Sequence, residues 1–119
     1  MAEGDINWDL IEQLMELDDD DQHEFSRQIL EDFFVQMKAE IPKLKQLIAE
    51  RRLKEVASLG HFLKGSSAAV GAVRISSICE KIQRCPQEDQ EIPKLQALAE
   101  ELQDTYPTTR EKLLSRFDP

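Results

Sequence analysis

Apolar residues recur three and four positions apart along nearly the whole chain, and no strand-like alternation competes with that period. The pattern predicts five helical stretches with short connections. The first is roughly Asn7–Leu17. The second follows the acidic run DDDD at Asp18–Asp21 and continues to about Arg52. The third covers about Leu53–Val70, the fourth runs from after Gly71 to about Arg84, and the fifth from near Glu91 to near Phe117. Pro86 and the polar run PQEDQE mark the connection before the last helix. Pro42 should kink the long second helix, and Pro107 should kink or interrupt the fifth. Pro93 falls in a first turn, where proline is well tolerated. The acidic run precedes a helix, where carboxylates complement the dipole and cap free N–H groups. The simplest architecture is all-α: an antiparallel four-helix bundle with a short additional N-terminal helix lying across it.

Composition agrees with helix. The 119 residues, read as one domain over 1–119, include only four glycines and five prolines, and Leu, Glu, Lys, Gln and Ala are abundant. No apolar run approaches ~20 residues, so no membrane span is expected. The start MAEGDINW carries neither a basic flank nor an apolar core, so no secretory signal is expected. A formal net charge of −9 argues against nucleic acid or an anionic membrane surface as a partner. Cys79 and Cys85 do not have metal-ligand spacing. They read as reduced thiols, which suits a cytoplasmic or nuclear protein.

One stretch of the third helix carries candidate chemistry. On a wheel with His61 at the top, Val56, Leu59, Leu63 and Val70 point within about 40° of the bottom and form the core stripe. The solvent face then holds His61 with Lys54, Ala57, Ser58, Lys64, Gly65 and Ala68. A lone exposed histidine is usually plain surface. Here, however, a glycine faces solvent in mid-helix, which costs about 1 kcal/mol relative to alanine. That cost has a purpose if something large must approach the imidazole. Neutral imidazole is nucleophilic near physiological pH and can carry a phosphoryl group. Lys64, one turn along, can offset the incoming charge. If Gly71 turns the chain into a helical hairpin, His61 and Gln83 reach similar heights, roughly 15 and 18 Å from the turn. An amide at that height can orient the ring.

These residues resemble the histidine-containing phosphotransfer family, and within it the single-domain fungal phosphorelay intermediates. The most specific stretch is LGHFLKGSSAAVGAVRISSICEKIQ, residues 59–83, supported by INWDLIEQLMELDDDD and FSRQILEDFF. DDDDQHEF runs slightly longer than the fungal pattern. The resemblance implies a four-helix bundle with a short N-terminal helix. It implies that His61 is phosphorylated, that Lys64 compensates charge, that Gly65 leaves access and that Gln83 hydrogen-bonds the imidazole. The implied partners are the receiver domain of a hybrid sensor kinase, which donates the phosphoryl group, and response-regulator receivers, which accept it. No cofactor is implied for this chain, Mg2+ being expected in the receiver. Without a nucleotide-binding loop, autonomous kinase activity is not expected.

The first helix carries two apolar stripes. Trp8, Ile11 and Met15 form one, and Ile6, Leu10, Leu14 and Leu17 the other, roughly opposite. A short helix on a bundle can be sandwiched or can leave one stripe open to a partner. By resemblance, Leu10, Leu14 and Leu17 with Phe25 and Ile29 contact the receiver, with Asp20 and Asp21 in a polar rim. The run could equally serve as a capping cluster. It is not an EF-hand loop, since counted from Asp18 the sixth position is His23 and the twelfth Ile29. His23 is expected to be an ordinary exposed residue. A single exposed site without a second self-complementary patch suggests a monomer. The competing readings are a helical adaptor, binding through the first helix with the histidine incidental, and a hydrolase using His61 as base. The latter lacks an adjacent nucleophile with an orienting carboxylate.

Overall fold

The computed structural model describes residues 5–19 and 21–117, and the expectation for Asp20 lies outside them. The helices are α1 (Trp8–Glu16), α2 (Glu24–Ala49), α3 (Leu53–Ala69), α4 (Val73–Arg84) and α5 (Ile92–Ser115), with a 3₁₀ turn at Asp89–Glu91 before α5. No strand occurs among the described residues. None of their helices is long and apolar enough to cross a membrane.

Helices α2 to α5 form the antiparallel four-helix bundle that the apolar period predicts. Each packs on two others in a closed ring, α2 on α3, α3 on α4, α4 on α5 and α5 on α2. The direction of α2 against α5 follows from three contacts. Arg27 meets Phe117, the Tyr106 hydroxyl donates to Phe34 O, and Lys45 pairs with Glu100. As numbering rises on one helix it falls on the other. Leu30, Met37, Leu44, Leu63, Ile75, Ile82, Leu102 and Leu113 are fully buried at helical spacing and fill the space between the four. Val56, Leu59, Leu63 and Val70 all point inward, as the wheel requires.

The long helices outreach the hairpin between them. Helices α2 and α5 have 26 and 24 residues, α3 and α4 only 17 and 12. The uncovered length is taken up by α1, which buries Ile11 and Met15. Its Glu12 pairs with Arg116, and Asp5 just before it pairs with Lys112, both on the far end of α5. Asn7 starts α1 by accepting from Leu10 N at 3.2 Å, a favoured cap.

Gly71 joins α1 to the hairpin tip. The α3 terminus is a Schellman motif, with Ala72 N donating to Ser67 O and Gly71 N to Ala68 O. Gly71 has φ +76°, and a Cβ there would lie 2.9 Å from Asn7 O. Gly71 O in turn accepts from Asn7 N at 2.8 Å. Left-handed geometry and close approach both demand glycine at this point.

Pro42 and Pro107 sit inside α2 and α5, and Pro107 does not interrupt its helix. Both face solvent, as do Lys38 and Gln103 four positions earlier. The carbonyls that lose an intrahelical partner there can take water instead.

Candidate functional site

The outer face of the α3–α4 hairpin brings the predicted residues together. His61 is exposed in mid-α3. Gln83, one helix across, places Nε2 3.1 Å from His61 Nδ1. The Gln83 Oε1 is buried and has no hydrogen-bond partner among the described residues. Gly65 is exposed, and a Cβ built on it meets nothing within 4 Å. Packing therefore does not require that glycine, and the space beside the ring is open.

Lys64 lies beside the histidine but is not a free cation. Its Nζ is 3.5 Å from Glu80 Oε1 on α4, and the same carboxylate oxygen takes Arg84 at 3.1 Å. Such partly exposed pairs are weak and exchangeable. In a chain of net charge −9, Lys64 and Arg84 thus share one carboxylate of the α3–α4 hairpin. Two serines fix the backbone beneath them. Ser67 Oγ donates to Leu63 O at 2.6 Å, and Ser76 Oγ reaches from α4 to Lys64 O at 3.1 Å.

Three residues around this site were not singled out by the sequence pattern. Gly60 faces α4, where a Cβ would stand 3.1 Å from both Cys79 O and Gln83 N. Phe62 lies 100° round the helix on the other side of His61 and is 51% exposed. Its neighbour Leu63, on the core stripe, is fully buried. Glu80 could have been found only by placing α4 in register with α3.

The first-helix stripes separate as one buried and one open. Ile11 and Met15 go into the core, with Trp8 at its rim, while Leu10 and Leu14 are half-buried and Leu17 is 64% exposed. Ile6 departs from its stripe and is buried, because it precedes the helix. On α2, Phe25 is 50% exposed and Ile29 half-buried. Asp21 is exposed.

The capping role of the acidic run falls to Asp18, from six residues before the helix. Its Oδ1 accepts from Ser26 N at 2.8 Å, and its Oδ2 accepts from Ser26 Oγ at 2.7 Å. Burial of the Asp18 carboxyl opposes its charge, but the Ser26 hydroxyl, the Ser26 amide and His23 outweigh it and hold its pKa below the ordinary value. His23 is accordingly not the plain surface residue the sequence suggested. It adopts φ 56°, its Nδ1 is 2.7 Å from Asp18 Oδ2, and its ring meets Phe117 edge-on. The two cysteines are unpaired and buried. Burial pushes the Cys79 thiol up to about 12, so it is inert as a nucleophile. No cluster of three or more His, Cys, Asp or Glu that could hold a metal occurs among the described residues.

Fold and site together define an all-α bundle domain that presents His61 on the outer face of the α3–α4 hairpin. The chain belongs to the Hpt domain family, whose model matches residues 28–112, a span that holds His61, Lys64, Gly65 and Gln83. It is 45% identical over 78 residues to multistep phosphorelay regulator 1 of Schizosaccharomyces pombe, covering 66% of this chain and 26% of that protein. It is 43% identical over 79 residues to the phosphorelay intermediate protein YPD1 of Saccharomyces cerevisiae, covering 66% and 47%. The chain thus spans between about a quarter and about half the length of these curated relatives. The crystal structure of the yeast phosphorelay protein YPD1 superposes with a TM-score of 0.71 at 25% identity, covering 92% of this chain and 89% of that one.

Proposed function

We propose that this chain is a histidine phosphotransfer intermediate. It accepts a phosphoryl group from a receiver-domain aspartate of a hybrid sensor kinase onto His61 and passes it to the aspartate of a response-regulator receiver. The observation that carries the reading is the His61 side chain itself, exposed on α3 and engaged at Nδ1 by Gln83, in a member of the Hpt domain family.

The amide oxygen and nitrogen of Gln83 exchange places by a half-turn. With the oxygen toward the ring, Nδ1–H donates to it and the Nε2 lone pair is free for attack. The aspartyl-phosphate P–O bond breaks and its electron pair leaves on the receiver carboxylate. A P–N bond forms at Nε2, and the ring keeps its Nδ1 proton, becoming a phosphorylated imidazolium. Lys64 can exchange Glu80 for the more highly charged phosphoryl oxygens. Transfer to the second receiver reverses these bond changes. The receiver brings its own Mg2+ and the donors that stabilise the transferring group.

Docking falls to the open apolar residues Leu17 and Phe25, backed by the half-buried Leu10, Leu14 and Ile29. Phe62 lies beside the histidine, and Asp21 belongs to the polar rim. The reading is tested by incubating the chain with a labelled phospho-receiver. Acid-labile label should appear on the wild type and be absent from His61→Gln. Equal labelling of both, or of neither, sinks the proposal.

A further inference from the structure

We propose that Gly60 is a positioning residue, whose missing side chain sets the α3–α4 separation at which Gln83 can hold the His61 ring. The proposal deepens the phosphotransfer reading and rests on it for its consequence in rate.

The two glycines of α3 are in opposite situations. A Cβ at Gly65 meets nothing within 4 Å. A Cβ at Gly60 would meet Cys79 O at 3.1 Å, Gln83 N at 3.1 Å and Ile82 Cγ2 at 3.2 Å. The Ile82 methyl belongs to a side chain that can turn away. The other two atoms cannot, because they are backbone atoms four residues apart, the acceptor and donor positions of one helical hydrogen bond of α4. Pressure on them is relieved only by moving α4 as a body or by rolling α3.

Both movements act on the functional pair. Gly60 is the chain neighbour of His61, and Gln83 N belongs to the residue whose amide reaches that ring. Ordinary contact for a Cβ begins at 3.4 Å, so the helices must part by a few tenths of an ångström. The His61–Gln83 bond is already 3.1 Å long, and such bonds weaken steeply toward ~3.5 Å. The displacement that an alanine demands is therefore as large as the slack the bond possesses. Helix propensity alone would favour alanine at a mid-helix position. The glycine is explained by the approach of the two helices, and that approach is located at the residues that align the nucleophile.

Gly60→Ala tests this, with Gln83→Ala and the double variant alongside. Propensity favours the substitution within α3, and far-UV circular dichroism with thermal melting checks the fold of each protein. The first readout needs no partner: long-range 1H–15N spectra report the His61 ring nitrogens. Gly60→Ala should move these shifts in the direction that Gln83→Ala moves them, and should move them no further in the double variant. The second readout is the rate of phosphoryl acceptance from a labelled receiver. Gly60→Ala should slow it about fivefold, the order of one lost hydrogen bond, and should add no slowing on the Gln83→Ala background. Ring shifts unchanged by Gly60→Ala overturn the proposal. So does an equal slowing with and without Gln83, which would route the effect through something other than the amide. If the wild type takes no label from any receiver, the phosphotransfer reading fails, while the ring spectra still decide what Gly60 does.

Discussion

Gln83 Nε2 on α4 and His61 Nδ1 on α3 lie 3.1 Å apart, so the exposed imidazole is oriented by a neighbouring helix and not by its own. That bond leaves Nε2 as the ring nitrogen available to a partner. Gln83→Ala should leave the bundle folded and slow phosphoryl acceptance by about fivefold to tenfold, the order of one lost orienting hydrogen bond. Gln83→Glu should behave differently. A carboxylate beside the ring favours its protonated form, which is no nucleophile. The pH profile of labelling should therefore rise at higher pH than in the wild type, with the rate at alkaline pH largely retained. Identical profiles for the wild type and Gln83→Glu would show that position 83 does not act on the ring.

Gly65 separates access from stability. Nothing lies within 4 Å of a Cβ there, so Gly65→Ala should stabilise the protein by up to about 1 kcal/mol through helix propensity. Gly65→Gln should also fold normally, since the longer chain points into open space. It should nonetheless slow phosphoryl acceptance by about tenfold or more, because it occupies the approach to the nucleophile. Thermal melts paired with single-turnover labelling measure both effects. Transfer unchanged in Gly65→Gln would remove the steric reason for the glycine.

The helices were legible in the sequence because burial follows a single period. Val56, Leu59, Leu63 and Val70 mark the inner face of α3, and that placed His61, Lys64 and Gly65 outside before any partner helix was known. What the period could not supply is the identity of each flanking neighbour. Gly60 and Phe62 lie 100° to either side of His61 on the wheel, and nothing in the pattern says which of them meets α4. That depends on the hand and register of the hairpin. The same register pairs Lys64 with Glu80. Asp18 was hidden for another reason. Its capping bonds span eight residues to Ser26, across a corner whose left-handed residue is His23, not the glycine that usually signals such a turn.

The partly open stripe of α1 makes Leu17 a cleaner probe of docking than Leu14. Leu14 packs against the core, so a charge there disturbs the fold as well as the surface. Leu17 is 64% exposed. Leu17→Asp should leave the melting temperature nearly unchanged and weaken receiver binding about tenfold, or about 1.4 kcal/mol. Phe25→Ala should act in the same direction. Calorimetric titration of an isolated receiver domain measures both. Wild-type affinity in both variants would place the docking surface elsewhere on the bundle.

The corner between α1 and α2 should give the protein an acid-sensitive element. The Asp18 carboxyl is held below its ordinary pKa of 3.8, so in the acid range the unfolded chain binds its proton more readily than the folded one. Its stabilisation is complete above about pH 5 and is lost as the pH falls through the folded value. Protonation there removes the charged acceptor of Ser26 N and Oγ and loosens the start of α2 next to Phe25. Asp18→Asn should therefore melt below the wild type at pH 7, and the gap should close as both are acidified below about pH 4. Thermal unfolding of the two proteins from pH 7 to pH 2 measures this. A gap that stays constant across that range would show that the carboxylate charge of Asp18 carries none of the stability of the corner.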